Sequence, residues 1–257
     1  MRRQSPAGAD TEALAPHAPL TEYYEDEAAR HRFLRRIFDR TAPDYDRIER
    51  MLAFGSGPWY RRQALLRAGL AVGQQVLDVG IGTGLVAREA LGIIGPAGSL
   101  VGVDPSVGMM DQVRLPGVEL REGRAEALPV GDASADFLSM GYALRHVADV
   151  PGAFAEFHRA LRPGGRLVVL EITRPEGRLG RAALKAYMRS VVPLLARLVA
   201  RDNHTPELWR YYWDTIEACV PPAAVLEFLH AAGFEQVERR VELGMFSEYT
   251  ARKPATH

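Results

Sequence analysis

Cysteine, lysine and net charge are all scarce in this chain of 257 residues. Cys219 is the only cysteine, which excludes an internal disulfide and a cysteine-rich metal site. A reducing, cytoplasmic compartment is therefore the default expectation. Lysine occurs only as Lys185 and Lys253, so arginine carries nearly all of the positive charge. Because acidic and basic residues balance at a formal net charge of zero, the composition predicts no nucleic-acid partner.

Long apolar runs are missing as well. No continuous apolar stretch follows the N-terminal arginines, so the start of the chain does not resemble a secretory signal. Its content of Pro, Ala and Gly predicts a disordered leader over residues 1–21. No segment approaches the ~18 apolar residues of a membrane span. The nearest, residues 190–200, is short and carries Arg197, so we expect at most peripheral membrane contact.

Short apolar strands alternate with helical segments through the middle of the chain. The predicted strands cover residues 76–79, 100–103, 118–121, 137–140 and 166–172. Two alternating runs about Gly244 predict a terminal antiparallel hairpin. This pattern predicts an α/β fold of the Rossmann-like, doubly wound type, with a mostly parallel sheet of seven strands.

The flanking segments are helical in pattern. We predict a single domain over residues 22–257, with an N-terminal helical cap over residues 22–70. A helical, aromatic-rich insertion is predicted over residues 174–229, on the substrate side and before the last two strands.

A glycine-rich loop, "VLDVGIGTGLVA", follows the first strand and places Gly80, Gly82 and Gly84 on alternate positions. In a doubly wound sheet this loop lies at the ligand crevice, where glycines let a ligand approach the peptide planes. A dinucleotide fingerprint needs its third glycine where Leu85 stands. Asp78 precedes the loop, and Asp104 ends the second strand, where a carboxylate can accept hydrogen bonds from ribose. The combination favours a ligand with a ribose and without a pyrophosphate.

Four successive motifs extend this pattern: "VLDVGIGTG", "LVGVDPSVGMM", "GRAEALPVGDASADFLSMGYALRHV" and "LRPGGRLVVLEITRP". Together they resemble the motifs of class I S-adenosylmethionine-dependent methyltransferases. More closely, they resemble the ubiquinone/menaquinone C-methyltransferase family, from about residue 37 to the C-terminus.

The resemblance implies S-adenosyl-L-methionine as the cofactor and assigns its contacts. Gly80, Gly82 and Thr83 match the loop at the methionine part, and Asp78 matches the position associated with the ammonium group. The remaining matches are Asp104 at the ribose diol, Arg124 and Ala125 at the adenine, and Gly141 beside the cofactor. Arg124 departs from the family's Asn or Asp, because an arginine cannot accept a hydrogen bond from the adenine amino group.

The acceptor side follows from the same resemblance. Methylation of a quinol ring carbon needs a base, or a cation that stabilises the phenolate. Arg145 matches the family's "LRN" arginine, and either phenolate stabilisation or a structural salt bridge would explain it. His146 stands where the family has Asn, as a general base or as a hydrogen-bonded core or loop histidine. Tyr45 and Asp46 match the upstream "YD" pair that caps the cofactor pocket. No metal site is predicted.

Several acceptor-side positions depart from the family. Glu49 replaces an asparagine, Ala53 a serine, Gly57 a histidine and Glu217 a basic residue. We therefore keep three hypotheses. Quinol ring-carbon methylation comes first, then oxygen or nitrogen methylation of a secondary metabolite, and then a non-catalytic cofactor-binding partner protein. A small aromatic acceptor is the expected partner, and a homodimer is compatible with the sequence.

Overall fold

A seven-stranded sheet forms the centre of the computed structural model, which describes residues 14–52, 55–194 and 205–255. Its strands are β1 (Gln75–Val79), β2 (Ser99–Asp104), β3 (Val118–Glu122), β4 (Ala135–Gly141), β5 (Leu161–Ile172), β6 (Glu235–Glu242) and β7 (Phe246–Arg252). Their order is β3-β2-β1-β4-β5-β7-β6. The first five strands are parallel, and β7 pairs antiparallel with β5 and β6. The predicted fold class, including the terminal hairpin, is confirmed.

Helices cover both faces of the sheet and the side at which β4 ends. In chain order they are α1 (Glu27–Leu52), α2 (Gly57–Arg67), α3 (Leu85–Ile94), α4 (Val107–Met110), α5 (Val150–Ala160), α6 (Arg178–Ala186), α7 (Thr205–Ala218) and α8 (Pro222–Ala231). A 3₁₀ turn, Leu144–His146, follows β4, and a π-helical turn, Tyr187–Val191, continues α6.

Each face of the sheet is buried by its own apolar cluster. Successive strand residues point to opposite faces, so Val76 joins Leu65 of α2 on one side, and Leu77 joins Phe154 of α5 on the other. Burial of one such side chain contributes about 1.5–3 kcal/mol. Near-continuous apolar strands are the sequence signature of a sheet that is covered on both faces, which explains why the strands were predictable.

A third apolar cluster joins α1 to α7. It includes Phe33 and Ile48 of α1 and Leu208 and Trp213 of α7, all of which are buried. Both helices also contact the turn Leu144–His146, so this cluster lies beyond the carboxyl end of β4. The cluster therefore covers the edge of the sheet at which a ligand crevice is expected.

The last residues of the predicted leader are held by the domain. Leu14 N donates to Asp149 Oδ1 at 3.1 Å, and Val150 N donates back to Leu14 O at 2.9 Å. Val220 N donates to Pro16 O at 2.7 Å, and the side chain of His17 is buried. This segment satisfies a backbone N–H at the start of α5. The disordered leader over residues 1–21 stays a prediction. Residues 1–13 lie outside the described part.

Other sequence expectations are not tested. The boundaries at residues 22, 70, 174 and 229 stay predictions, and part of the apolar segment 190–200 lies outside the described residues. Within residues 14–52, 55–194 and 205–255, no helix has the length and apolar character for a membrane crossing. Over the same ranges, no three His, Cys, Asp or Glu side chains are grouped for a metal ion.

The glycine loop folds back onto β2. Gly80 N and Ile81 N both donate to Val103 O, at 2.8 and 3.1 Å. The Ile81 side chain then lies over Gly102, where an added Cβ would be 2.3 Å from Ile81 Cδ1. The position of the glycine loop on β2 therefore depends on Gly102, which has no side chain.

We expect Gly102→Ala to lower the free energy of unfolding by about 1–3 kcal/mol, the usual cost of overpacking. A reduced urea midpoint would measure this loss. Gly131→Ala is the matched control, because an added Cβ there has no neighbour within 4 Å. Equal midpoints for the two variants would contradict the packing of Ile81 on β2.

Candidate active site

The loops that follow β1, β2 and β4 border a cavity of about 990 Å³. This volume lies at the upper end of the ~300–1,000 Å³ typical of small-molecule sites. Residues of α1, α2, α3, α6 and α7, the loop after β3 and the β6–β7 hairpin also line the cavity. The cavity is therefore large enough for a nucleoside-sized cofactor together with an aromatic acceptor.

The glycine loop presents bare backbone to the cavity. Gly80 and Gly82 both have positive φ angles, 69° and 56°, which favour glycine. At Gly80, an added Cβ would lie 2.7 Å from the Cβ of Ala143, so the neighbouring loop also requires glycine there. At Gly82, the nearest atom to an added Cβ is Gly80 O at 4.0 Å. A ligand can therefore approach the peptide planes of this loop.

Asp104 lies at the end of β2 and lines the same cavity. Its Oδ2 accepts Gly82 N and its Oδ1 accepts Ser106 N, both at 2.8 Å. Burial raises the pKa of this carboxyl to about 6, against the lowering effect of the two backbone hydrogen bonds. Each oxygen keeps a further lone pair, so the ionised carboxylate can accept hydroxyl groups from a ligand.

Asp78 and Thr83 differ in their relation to the cavity. Asp78 is buried on β1 outside the lining, and its Oδ1 accepts Ser139 Oγ at 2.7 Å. Burial raises the pKa of Asp78 to about 7. Thr83 lines the cavity and donates to Asp46 Oδ1 at 2.5 Å, which ties α1 to the glycine loop. The predicted ammonium contact of Asp78 stays a prediction.

The predicted adenine side lies at the end of β3. Ala125 is buried and lines the cavity. Arg124 also borders it, with its side chain half exposed and Nη1 3.1 Å from His31 Nε2. At the end of β4, an added Cβ on Gly141 would lie 2.5 Å from Val86 Cγ2. Gly141 thus keeps the wall of the cavity flat next to α3.

An aromatic group lines another part of the cavity. The Tyr45 and Tyr212 hydroxyls lie 2.9 Å apart, and Tyr45 stacks on Trp209 with ring centroids 6.1 Å apart. All three side chains line the cavity, whereas the neighbouring Tyr211 and Trp213 are buried away from it. Burial raises the pKa of Tyr45 well above its ordinary value, so this phenol stays protonated.

Arg145 does not border the cavity. Its side chain is fully buried, forms an ion pair with Glu171, and places Cζ 4.2 Å from the ring centroid of Tyr212. Of the two roles that the sequence left open, the structure contains the salt bridge. The Tyr212 ring lines the cavity, so the guanidinium can act on a ligand only across that ring.

His146 lines the cavity within an aromatic stack. Its ring centroid lies 5.2 Å from that of Phe38 and 5.6 Å from those of Tyr211 and Tyr212. Neither ring nitrogen has a hydrogen-bond partner among the described residues. Burial, followed by the positive charge of Arg145, holds the pKa of His146 well below its ordinary value. The imidazole is therefore neutral, and its surroundings oppose proton uptake.

Two features of the cavity were missed by sequence reasoning. Tyr142 follows Gly141 with a φ of 60°, a conformation that is rare for a bulky residue and that no local pattern signals. Arg61 of α2 is buried against Glu49 of α1, and both line the cavity. In the sequence, Glu49 stands out only as a departure from the family pattern.

Comparison with known proteins gives a family assignment. The model of the ubiE/COQ5 methyltransferase family matches residues 25–253. A demethylmenaquinone methyltransferase of Roseiflexus sp. is 34% identical over 249 residues, which cover 95% of this chain and 98% of the relative. A ubiquinone/menaquinone biosynthesis C-methyltransferase of Hahella chejuensis is 32% identical over 206 residues, 77% of this chain and 82% of the relative.

Solved structures share the fold. A Thermotoga maritima S-adenosylmethionine-dependent methyltransferase, described as a possible histamine N-methyltransferase, has a TM-score of 0.60 and 24% identity. The match covers 85% of this chain and 99% of that one. A Haemonchus contortus phosphoethanolamine N-methyltransferase, solved with S-adenosylhomocysteine, has a TM-score of 0.60 and 18% identity, covering 86% and 60% of the two chains.

The family model spans nearly the whole chain, and the relatives match along most of their own length. Methyltransferase activity and the cofactor, both predicted from the sequence, are confirmed by these findings. The chain therefore belongs to the ubiE/COQ5 methyltransferase family and is an S-adenosylmethionine-dependent methyltransferase.

Proposed function

We propose that this enzyme methylates a ring carbon of a quinol. Support comes from two relatives, one named a ubiquinone/menaquinone biosynthesis C-methyltransferase and the other a demethylmenaquinone methyltransferase. The observation that carries the proposal is the aromatic end of the cavity. Phe38, Tyr45, Trp209 and Tyr212 line it, next to the glycine loop. Aromatic walls bury a flat ring well, and the paired tyrosine hydroxyls can meet its oxygen substituents.

The cofactor lies against the glycine loop in this proposal. The backbone at Gly80 and Gly82 receives the methionine part, Asp104 accepts the ribose hydroxyls, and Ala125 borders the adenine. The residues fit this group, because the loop is bare of side chains and the carboxylate has free lone pairs. When bound, S-adenosylmethionine supplies a methyl group that is already activated by the positively charged sulfur.

The chain's own task is then to position the acceptor. The enclosing helices keep water from the ring, and the aromatic wall fixes the plane in which the ring lies. Holding the reacting atoms close and aligned replaces the covalent nucleophile that other group transfers need. The cytoplasmic location, peripheral membrane contact and a homodimer stay predictions from the sequence.

Asp104→Asn tests the cofactor end. The carboxylate is the acceptor for ribose, and its pKa is about 6, so affinity in the wild type should fall as pH drops from 8 to 5. Calorimetric titration at pH 8 should show about 10–100-fold weaker cofactor binding by the variant, the loss of a hydrogen bond to a charged group. The variant should also lose the pH dependence near 6.

Asp132→Asn is the matched control, because this exposed carboxylate pairs with Arg159 and does not line the cavity. Its affinity should equal that of the wild type. Wild-type affinity in Asp104→Asn would show that the ribose is bound elsewhere.

The acceptor is tested by product analysis. Incubation with labelled cofactor and a demethylnaphthoquinol should place the label on a ring carbon, identified by NMR of the product. Label on an oxygen or nitrogen, with turnover only on other phenols or amines, would contradict carbon methylation and favour a secondary-metabolite enzyme.

His146→Phe tests whether the imidazole is a base. Phenylalanine keeps a ring against Phe38 and Tyr211 and removes both nitrogens. Since the surroundings of His146 oppose protonation, we expect kcat to change less than about threefold, against the 10²–10⁴-fold contribution of a general base. A loss in that larger range, with the melting temperature unchanged, would assign the base to His146.

A further inference from the structure

A buried cation lies behind one wall of the cavity. Arg145 Cζ is 4.2 Å from the ring centroid of Tyr212, and Tyr212 Oη is 2.9 Å from Tyr45 Oη. Both tyrosines line the cavity, and the arginine does not. The three side chains therefore form a row that runs from a fixed positive charge to the ligand space.

We propose that the paired hydroxyls of Tyr45 and Tyr212, with Arg145 behind them, form a subsite that binds a phenolate oxygen of the acceptor. The inference rests on the proposed function in one respect, namely that the acceptor carries a phenolic hydroxyl. Arg145 is a positioning residue in this arrangement, since it acts through Tyr212.

The charge of Arg145 is directed towards the tyrosines. Glu171 binds its Nη1, but the same carboxylate also accepts Ile172 N at 2.9 Å and Arg145 N at 3.4 Å. Three donors therefore share the negative charge of Glu171. Nε and Nη2 of Arg145 have no hydrogen-bond acceptor among the described residues, and the guanidinium instead contacts the face of the Tyr212 ring.

A cation over a phenol ring makes its hydroxyl a stronger donor. Burial raises the pKa of Tyr212, while Arg145 and the hydrogen bond to Tyr45 oppose that rise. Either hydroxyl can be the donor between the two tyrosines. When Tyr212 donates to Tyr45, the Tyr45 hydroxyl is left to donate into the cavity. A chain of two polarised hydroxyls is suited to an anionic oxygen, because hydrogen bonds to charged groups are the strong ones.

Other titratable groups face the pair. Glu171 and Glu49 raise the pKa values of the tyrosines, and neutral His146 packs its ring against Tyr212. Glu49 forms an ion pair with Arg61, so its charge is largely compensated. The charged group in contact with the Tyr212 ring is the guanidinium of Arg145, with Glu171 as its counterion.

The subsite lies close to the cofactor end. Asp46, the neighbour of Tyr45, accepts the Thr83 hydroxyl of the glycine loop at 2.5 Å. Tyr45 and Thr83 line the same cavity, so a ring whose oxygen is held at Tyr45 shares that cavity with the loop that receives the methionine part of the cofactor.

The test uses 4-nitrophenol, a phenol whose anion absorbs visible light, bound to the full-length protein saturated with S-adenosylhomocysteine. A pH titration of the absorbance reports the ionisation of the bound probe. In the wild type we expect its pKa to fall by about one unit relative to water, a tenfold shift in the ionisation constant. Tyr45→Phe and Tyr212→Phe should each abolish most of this shift.

Tyr211→Phe is the matched control. Tyr211 is adjacent in sequence and buried, but it does not line the cavity, so this variant should keep the full shift. The double variant Arg145→Met/Glu171→Gln removes the buried pair without leaving one charge alone, and such replacements are often tolerated. It should lose the shift while both hydroxyls remain; if it does not fold, the tyrosine variants decide.

Absence of saturable 4-nitrophenol binding, or an unshifted pKa in the wild type, would overturn the subsite. So would a full shift in the folded Tyr45→Phe and Tyr212→Phe variants. The assay needs no methyl transfer, so its result is separate from that of product analysis. A lowered pKa of bound 4-nitrophenol, together with no ring-carbon product, would overturn the quinol proposal and would still support the phenolate subsite.

Discussion

The buried ion pair between Arg145 and Glu171 organises the ligand side of this enzyme. It joins the turn after β4 to the end of β5, and both side chains are withdrawn from solvent. Two covering helices attach at the same place. Arg30 of α1 donates to the carbonyls of Arg145 and Val147, and Tyr212 of α7 packs on the guanidinium. Because an uncompensated buried charge costs several kcal/mol, strand ends and helices are constrained together.

The single helix α1 extends this constraint to the cofactor end. Besides Arg30 near the β4 turn, Asp39 accepts Ser106 Oγ at 2.6 Å and Gly108 N at 3.0 Å in the loop after β2. Asp46 accepts Thr83 in the loop after β1. One rigid element thus contacts the loops of three strands and carries Tyr45 into the cavity. Positioning of the cofactor loop and of the acceptor wall is therefore mechanically linked.

Sequence reasoning succeeded where the signal is local. Apolar runs with the period of a strand identified the sheet, and alternate glycines flanked by Asp78 and Asp104 identified the crevice. It could not reveal contacts between distant segments. Arg145 and Glu171 are 26 positions apart, and Leu14 meets Asp149 across 135 positions. The positive φ of Tyr142 is likewise imposed by its surroundings, since no residue near it forecasts a left-handed conformation.

Two of the acceptor-side departures, Gly57 and Glu49, lie in contact with each other. Gly57 stands where the family pattern has a histidine, and an added Cβ there would lie 2.8 Å from Glu49 Oε1 and 2.9 Å from Arg61 Nη1. Glu49 itself replaces an asparagine. The space left by the missing side chain is therefore occupied by the Glu49–Arg61 ion pair.

Position 57 and the Glu49–Arg61 ion pair are in contact, so a change at one affects the other. A buried glutamate without Arg61 would carry an unpaired charge, and a side chain at position 57 would displace the pair. Burial raises the pKa of Glu49, and the positive charge of Arg61 opposes that rise. The acceptor side therefore departs from the family pattern at a polar pair that lines the cavity, while the glycine loop and Asp104 match that pattern.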